Sequence, residues 1–212
     1  MDFTNYSLCI IAYHGTFDAA ADNIIETKTF QSNFRDDHWL GQGIYFFRED
    51  FEQAKQWGKS AVEKQLRKGH IKKGKIAVIR AILNVERKNF WNLDTREDLI
   101  RFNKHVLKEL AELEKQKIEL EISLGESEKL RCYFCDLIDD DIYLIQRTFS
   151  GNSYLDQYKM LMDMGLRQHG TQLCVRNQHI IDFESIECIK LEEISIFNLR
   201  QGKRYNRSIV FE

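Results

Sequence analysis

Two short stretches decide the fold: Tyr13-His14-Gly15-Thr16 and Gly41-Gln42-Gly43-Ile44-Tyr45-Phe46-Phe47. The first closes an apolar, β-branched run over residues 8–13, which predicts a buried strand with His14 and Gly15 at its end. In the second, two glycines turn the chain out of a polar loop into a short apolar strand. The chain therefore presents a histidine–glycine pair and a tyrosine from two separate strands.

Composition and charge limit the class of protein. The 212 residues suit one well-buried domain, and we expect a single domain over 1–212. The 31 Lys and Arg are balanced by 33 Asp and Glu, so the chain lacks the global positive field of a non-specific nucleic-acid binder. Five cysteines without a regular framework, and no secretory leader in the sequence, predict a reduced, cytoplasmic protein with no membrane partner.

The remaining pattern predicts alternating helices and strands. Helices are expected over 17–26, about 50–66 and 154–164, and strands over 76–82, 173–176, 179–181 and 186–191. The strongest helical signal covers 97–122, where one face carries Leu99, Phe102, Val106, Leu107, Leu110 and Leu113. We expect this helix to form an insertion, about 94–125, that packs on the domain rather than a coiled coil.

Together the two motifs resemble the poly(ADP-ribose) polymerase and diphtheria-toxin branch of the ADP-ribosyltransferases, whose signature is a histidine, a tyrosine and a glutamate on three strands. The resemblance covers residues 8–62 and 171–191, and the middle of the chain only by position. It implies an α+β fold with an ADP-ribosyltransferase-like split, mostly antiparallel β-sheet, flanking helices and the long helical insertion.

The resemblance also assigns roles around NAD, which is a substrate in this family; no metal is expected. It implies that His14 hydrogen-bonds a ribose hydroxyl, that Gly15 pins the nicotinamide carboxamide through its backbone, and that Tyr45 stacks on the ring. Thr16 and Gly43 complete the two motifs. Nicotinamide needs an aromatic face, an unobstructed backbone N–H and C=O, and a donor for the ribose, which these residue types supply.

Two further residues are candidates for binding the cofactor. Trp57, on the helix after the tyrosine strand, would cover the other face of the nicotinamide, although a tryptophan on a helix is more often part of the core. The loop 35–38 sits where the family places a lid, and Arg35 is its cation. Because a guanidinium can bind phosphate oxygens in bidentate fashion, we assign Arg35 to the diphosphate.

The third signature position departs from the family. Gln178 stands where the catalytic glutamate should be. A carboxylate stabilises the oxocarbenium-like transition state, whereas glutamine brings no charge and cannot deprotonate an acceptor. We therefore expect slow transfer, an acceptor that needs little base assistance, or rescue by Glu184 or Glu187. Transfer of single ADP-ribose units is favoured over polymer growth.

The acceptor is expected to meet the loop 165–172, through Arg167, His169 and Gln172. It would be a protein side chain or a nucleic-acid base. The basic stretch 64–75 would favour the base, although such stretches are most often solvated loops. Small proteins of this type are often toxins of toxin–antitoxin and phage-defence systems, which would imply an antitoxin partner.

Other readings of the sequence stay open. The substitution at Gln178 favours a non-catalytic NAD or ADP-ribose binding module. An interaction protein that docks through the helix 97–122 is a third possibility. Cys132 and Cys135 have zinc-knuckle spacing, but no second pair lies at a suitable distance, so we expect buried thiols.

Overall fold

The computed structural model describes residues 6–122, 125–149, 160, 163–164 and 170–197. This part of the chain has an α+β fold, which confirms the predicted class. Its strands are β1 (Ser7–Phe17), β2 (Ile44–Arg48), β3 (Lys73–Glu86), β4 (Phe90–Asn92), β5 (Leu144–Phe149), β6 (Gly170–Val175) and β7 (Ile181–Ser195). Its α-helices are α1 (Asp18–Thr27), α2 (Phe51–Lys68), α3 (Arg96–Gln116) and α4 (Ser127–Asp136).

The seven strands form one sheet in the order β4-β5-β6-β2-β1-β3-β7. Neighbouring strands are antiparallel except β4 and β5, so the mostly antiparallel sheet is also confirmed. β1 pairs with β3 along its whole length, from Ser7 to Phe17. With β2, in contrast, it pairs only through Ala12 with Arg48 and Tyr13 with Phe47. β1 and β2 therefore separate beyond Tyr13, near the middle of the sheet.

The two faces of the sheet are covered differently. One face packs α1 and Phe30 against Ile10, Ala12 and Phe46. Helix α2 covers the other face, where Ala54 contacts the cluster of Phe47 and Val78. Helix α2 begins where the Asp50 side chain accepts a hydrogen bond from the Gln53 N–H. It ends at Gly69, whose φ of 74° is the left-handed conformation that glycine adopts without strain.

Several elements differ from the sequence prediction. β3 runs over Lys73–Glu86 rather than 76–82, because it lies between two long partner strands that extend its ladder. Residues 178–180 form a 3₁₀ turn rather than part of a strand, since the Asn177 side chain caps the His179 N–H. β4, β5 and α4 were not predicted from the sequence, because they are short and interrupted by polar residues. Most of the predicted helix 154–164 lies outside the described residues.

Helix α3 is shorter than predicted and only partly packed. It ends at Gln116, followed by Lys117 with a φ of 57°. Its predicted apolar face divides: Phe102, Val106 and Leu113 are half-buried, but Leu99, Leu107 and Leu110 are exposed. Among the described helices, α3 included, none combines the length and apolar character needed to cross a bilayer.

The thiols of α4 match the sequence prediction. Cys132 and Cys135 are both buried and free. Burial raises the pKa of the Cys132 thiol to about 11, so it stays protonated at neutral pH.

Candidate functional site

The gap between β1 and β2 exposes backbone groups in the middle of the sheet. The Glu49 N–H donates to the Ile11 carbonyl at 3.1 Å, so the odd-numbered residues of these two strands direct their backbone groups at each other. The last paired residue of β1 is Tyr13, opposite Phe47. The next odd-numbered residue of β1 is Gly15, which lies opposite Tyr45. The ladder has ended there, and the N–H and C=O of Gly15 face the gap.

The His14 side chain spans this gap. Its Nδ1 lies 2.8 Å from the carbonyl oxygen of Tyr45. Its ring packs 5.3 Å from that of Phe30 and 5.5 Å from that of Phe46. Burial lowers the pKa of His14 and outweighs the opposing effect of the bond to the carbonyl, so the imidazole is neutral at pH 7. Because a carbonyl only accepts, Nδ1 carries the proton, and Nε2 is left as an acceptor for a hydroxyl, so the expectation that His14 supplies a donor for the ribose was wrong.

Gly15 has a packing role as well as the predicted binding role. A Cβ at this position would lie 1.8 Å from the carbonyl oxygen of Ala54 and 2.6 Å from the nitrogen of Gly58, so only glycine lets α2 lie this close to β1. The other motif residues are also packed: a Cβ on Gly43 would meet Cys174 Sγ at 2.6 Å, and Thr16 is buried within β1. The sequence does not separate these packing demands from those of a ligand.

The Tyr45 side chain fixes the loop that precedes its own strand. Its hydroxyl donates to the Gly41 carbonyl and accepts from the Leu40 N–H, both at 2.7 Å. Burial raises the pKa of Tyr45, so the phenol stays neutral. Its ring lies 5.3 Å from that of His38. Tyr45 is therefore a rigid wall of the site rather than a titrating group.

His14 and Tyr45 meet at the gap but project from opposite faces of the sheet. His14 lies with the cluster that contains Phe46 and Phe30, whereas Tyr45 packs against a separate cluster that includes Trp91. This follows from the alternation of side chains along paired strands. A ligand that contacts both residues must pass between β1 and β2.

A small pocket opens on the Tyr45 side of the gap. It has a volume of about 70 Å³ and is lined by Arg35, Asp37, His38, Trp39, Tyr45, Trp57 and Gln172. The structure thus brings together Tyr45, Trp57, Arg35 and Gln172, which the sequence analysis proposed separately. Sites for drug-sized ligands occupy about 300–1,000 Å³, so the loop 35–39 must move before a dinucleotide can enter.

An internal ion pair holds the loop 35–39. Arg35 Nε and Nη2 each lie 2.8 Å from a carboxylate oxygen of Asp37. This pair lowers the pKa of Asp37 and raises that of Arg35, so both stay charged. In this conformation Arg35 is engaged by Asp37, and phosphate oxygens would have to replace that carboxylate.

Asp37 and His38 were not among the predicted site residues, although their loop was expected to be a lid. Asp37 brings a carboxylate to the pocket wall. The His38 Nδ1 is buried and has no hydrogen-bond partner among the described residues. Burial lowers the pKa of His38, so its neutral ring has a free nitrogen beside the pocket. Neither role could have been read from the order Arg-Asp-Asp-His alone.

The amide of Gln178 is occupied by the backbone of Phe30. Its Oε1 accepts from the Phe30 N–H at 2.8 Å, and its Nε2 donates to the Phe30 carbonyl at 2.9 Å. Gln178 is therefore connected to His14 only indirectly, by holding the backbone of Phe30, whose ring packs on that of His14. The two proposed substitute carboxylates are paired elsewhere: Glu184 with Lys28, and Glu187 with Arg80 at 3.5 Å.

The three proposed acceptor residues are placed unequally. Gln172 lies on β6, paired with Phe47 on one side and Arg147 on the other, and is 4% exposed. Arg167 and His169 lie outside the described residues. Of the three predicted acceptor residues, the described part of the chain therefore contains Gln172, whose buried amide lines the pocket.

No protein-family model and no solved structure matches the chain. The chain is similar to the uncharacterized protein MJ0359 of Methanocaldococcus jannaschii, with 34% identity over 92 residues. That match covers 43% of this chain and 40% of the other protein. The similarity therefore spans less than half of either protein, and it brings no activity with it.

Proposed function

We propose that this chain is an NAD-dependent mono-ADP-ribosyltransferase. It would bind NAD⁺ across the gap between β1 and β2, release nicotinamide and transfer ADP-ribose to a macromolecule. The observation that carries the proposal is the gap itself, with the backbone of Gly15 on one side, Tyr45 on the other and the His14 imidazole between them. These are the residues that the sequence resemblance assigned to nicotinamide.

In the proposed complex, each part of NAD⁺ has a defined partner. The carboxamide pairs with the N–H and C=O of Gly15, and the pyridine ring stacks between Tyr45 and Trp57. A ribose hydroxyl donates to His14 Nε2, since Nδ1 is held by a carbonyl. As the loop opens, the diphosphate oxygens replace the Asp37 carboxylate as the partner of the Arg35 guanidinium.

The reaction breaks the bond between the ribose C1′ and the nicotinamide nitrogen. The bonding electrons leave with nicotinamide, which departs neutral, and positive charge builds on the ribose. A nucleophilic atom of the acceptor then forms the new bond to C1′ and gives up its proton to solvent. With Gln178 bound to Phe30, we assign stabilisation of the positive charge to the Asp37 carboxylate, which is ionised at neutral pH.

The absence of the family's glutamate favours transfer of one ADP-ribose unit, because in the family that glutamate also positions the hydroxyl that extends the chain. We further propose, from the resemblance and the size of the chain, that the protein is a toxin-type effector with a protein or nucleic-acid acceptor. It would act in the cytoplasm, where its free thiols stay reduced.

The test is to incubate the protein with adenine-labelled NAD⁺ and cell lysate, and to follow free nicotinamide and macromolecular label. His14→Ala should abolish both. His105→Ala is a matched control, because that imidazole also bonds a backbone carbonyl, that of Phe134 at 3.1 Å, but lies on α3. Loss of label on protease treatment would identify a protein acceptor, and loss on nuclease treatment a nucleic acid. Equal activity of the two variants would contradict the proposed site.

The role of Asp37 has its own matched pair of variants. Asp37→Asn should lower the rate of nicotinamide release at saturating NAD⁺. Asp36→Asn changes the same charge one residue away, outside the pocket lining, and should leave the rate unchanged. If both variants react at the wild-type rate, Asp37 does not stabilise the transition state.

A second candidate function is a non-catalytic NAD or ADP-ribose binding module. It is favoured by the bonding of Gln178, whose amide holds a loop instead of a reacting group. Calorimetry for binding, together with an assay of free nicotinamide, distinguishes the two functions. A binding module binds NAD⁺ and releases no nicotinamide, whereas the enzyme consumes NAD⁺ and releases nicotinamide. Failure to bind NAD⁺ at all would contradict both the transferase and the binding module.

A further inference from the structure

Helix α3 turns an apolar face to solvent. Leu99, Ile100, Leu107 and Leu110 are 42%, 51%, 57% and 40% exposed. Residues three, four and seven apart share one side of a helix, so these four side chains form one stripe, in which the polar Asn103 lies between Ile100 and Leu107. The stripe is completed by four more exposed residues: Arg96, Asn103, Ala111 and Glu114. Such a stripe on a surface helix marks an interaction site.

The positions of the residues in this stripe are symmetric about His105. Ile100 and Leu110 lie equally far from His105 on its two sides, as do Arg96 and Glu114. Leu99 and Ala111 form a further such pair, and so do Asn103 and Leu107. Two copies of α3 laid antiparallel therefore pair Ile100 with Leu110 and Leu99 with Ala111, place the Asn103 amide beside Leu107, and set opposite charges at both ends.

We propose that a second copy of this chain docks along the α3 stripe, antiparallel and with its two-fold axis level with His105. A two-fold interface requires one patch to match itself, residue i against j and j against i, and this stripe meets that condition. Packed helices approach to about 8–10 Å, close enough for the facing side chains to interdigitate.

Charge complementarity selects a second copy as the occupant. Within the described residues, neither Arg96 nor Glu114 forms an ion pair with another side chain, although most charged residues of α3 have partners. In the antiparallel arrangement each Arg96 faces the partner's Glu114. This makes two equivalent ion pairs, one at each end of the interface.

The surface at the C-terminal end of the stripe has the shape to receive a partner helix. The chain turns back after α3 and leaves a groove of about 390 Å³, lined by Leu110, Glu114 and Ile118 among others. In the proposed register, the partner's Ile100 and the partner's Arg96 lie over Leu110 and Glu114. The groove would therefore take up the first turns of α3 from the second copy. In the same way, the first turns of α3 of the first copy would enter the groove of the second copy.

Sedimentation velocity of the full chain tests the proposal. The wild type should associate to a dimer within the range of about 1–100 µM, which corresponds to −8.2 kcal/mol at its lower end. Arg96→Glu places like charges at both ends and should weaken the dimer at least about tenfold, or about 1.4 kcal/mol. Adding Glu114→Arg to that variant restores opposite charges and should restore the dimer.

Two further variants separate the interface from general effects on the helix. Leu107→Asp should give a monomer at every concentration tested. Lys108→Glu reverses a charge on the outer polar face of α3 and should leave the dimer unchanged. A wild type that stays monomeric up to about 100 µM overturns the proposal, and so does a dimer that Arg96→Glu and Leu107→Asp leave intact. A double charge reversal that fails to restore the dimer overturns the antiparallel register.

Discussion

Gln178→Glu replaces one NH₂ group by an oxygen and so removes one of the two hydrogen bonds to Phe30. In the wild type the amide donates to the Phe30 carbonyl at 2.9 Å and accepts from its N–H at 2.8 Å. An ionised carboxylate keeps the second bond but has no donor for the carbonyl. An unsatisfied, part-buried acceptor costs about 1–3 kcal/mol, and the strengthened N–H bond offsets up to about 1 kcal/mol.

With the middle of both ranges, the net loss at pH 7 should be about 1–2 kcal/mol in the free energy of unfolding, or about 2–8 °C in Tm for a chain of this size. The loss should depend on pH. A protonated carboxyl can donate to the Phe30 carbonyl, so the fold raises the pKa of the introduced group above its usual value of about 4.3. A raised pKa gives stability that is present at low pH and is lost as the pH rises through the folded-state pKa. The deficit should therefore be small near pH 4 and complete by about pH 7.

Urea unfolding of both proteins between pH 4 and pH 8 measures this deficit. Asn177→Asp is the matched control: it makes the same amide-to-acid change one residue away, where the side chain only accepts, from the His179 N–H. That variant should unfold within about 0.5 kcal/mol of the wild type. A Gln178→Glu protein that matches the wild type throughout, or that loses stability on acidification, would refute the role of Gln178 as a clamp on Phe30.

Three further variants have expected outcomes. Gly15→Ala should lower the free energy of unfolding in urea by at least about 3 kcal/mol, because its Cβ would lie 1.8 Å from the Ala54 carbonyl oxygen. Gly69→Ala is its control: a Cβ there has no atom within 4 Å, so this variant should lose only the roughly 1 kcal/mol that its positive φ costs. Tyr45→Phe removes a hydroxyl that bonds two backbone groups and should lower the free energy of unfolding by about 1–3 kcal/mol; an unchanged value would rule out that anchoring role. Trp57→Ala should weaken NAD⁺ binding about 2- to 12-fold by calorimetry, and unaltered binding would place the ring outside the site.

The sequence predicted which residues meet at the candidate site better than it predicted how they meet. His14 and Gly15 lie within β1, which continues to Phe17 instead of ending before them as predicted, and they meet Tyr45 at one gap because the pairing of β1 with β2 stops at Tyr13. The sequence did not show that His14 and Tyr45 project from opposite faces. That depends on the pairing register of β1 with β2, which no local pattern specifies.

The partners of the polar groups were also beyond sequence reasoning. Gln178 bonds Phe30, which is 148 positions away in the chain. Arg35 was assigned to a phosphate, but the folded loop gives it Asp37. In each case the residue type was recognised, but its hydrogen-bonding capacity was taken by another group of the protein, which for Gln178 is distant in the sequence and for Arg35 is two residues away.

The amino-acid sequence by itself determined the α+β class, the strands that carry the two motifs and the helical character of α3, because these follow from residue types repeated at the period of a strand or a helix. Tertiary structure decided where β1 and β2 separate, which nitrogen of His14 is free and how the loop 35–39 closes the pocket. Those features depend on which groups come within hydrogen-bonding distance across the sheet. Such distances are set by the packing of the whole domain, and by no segment alone.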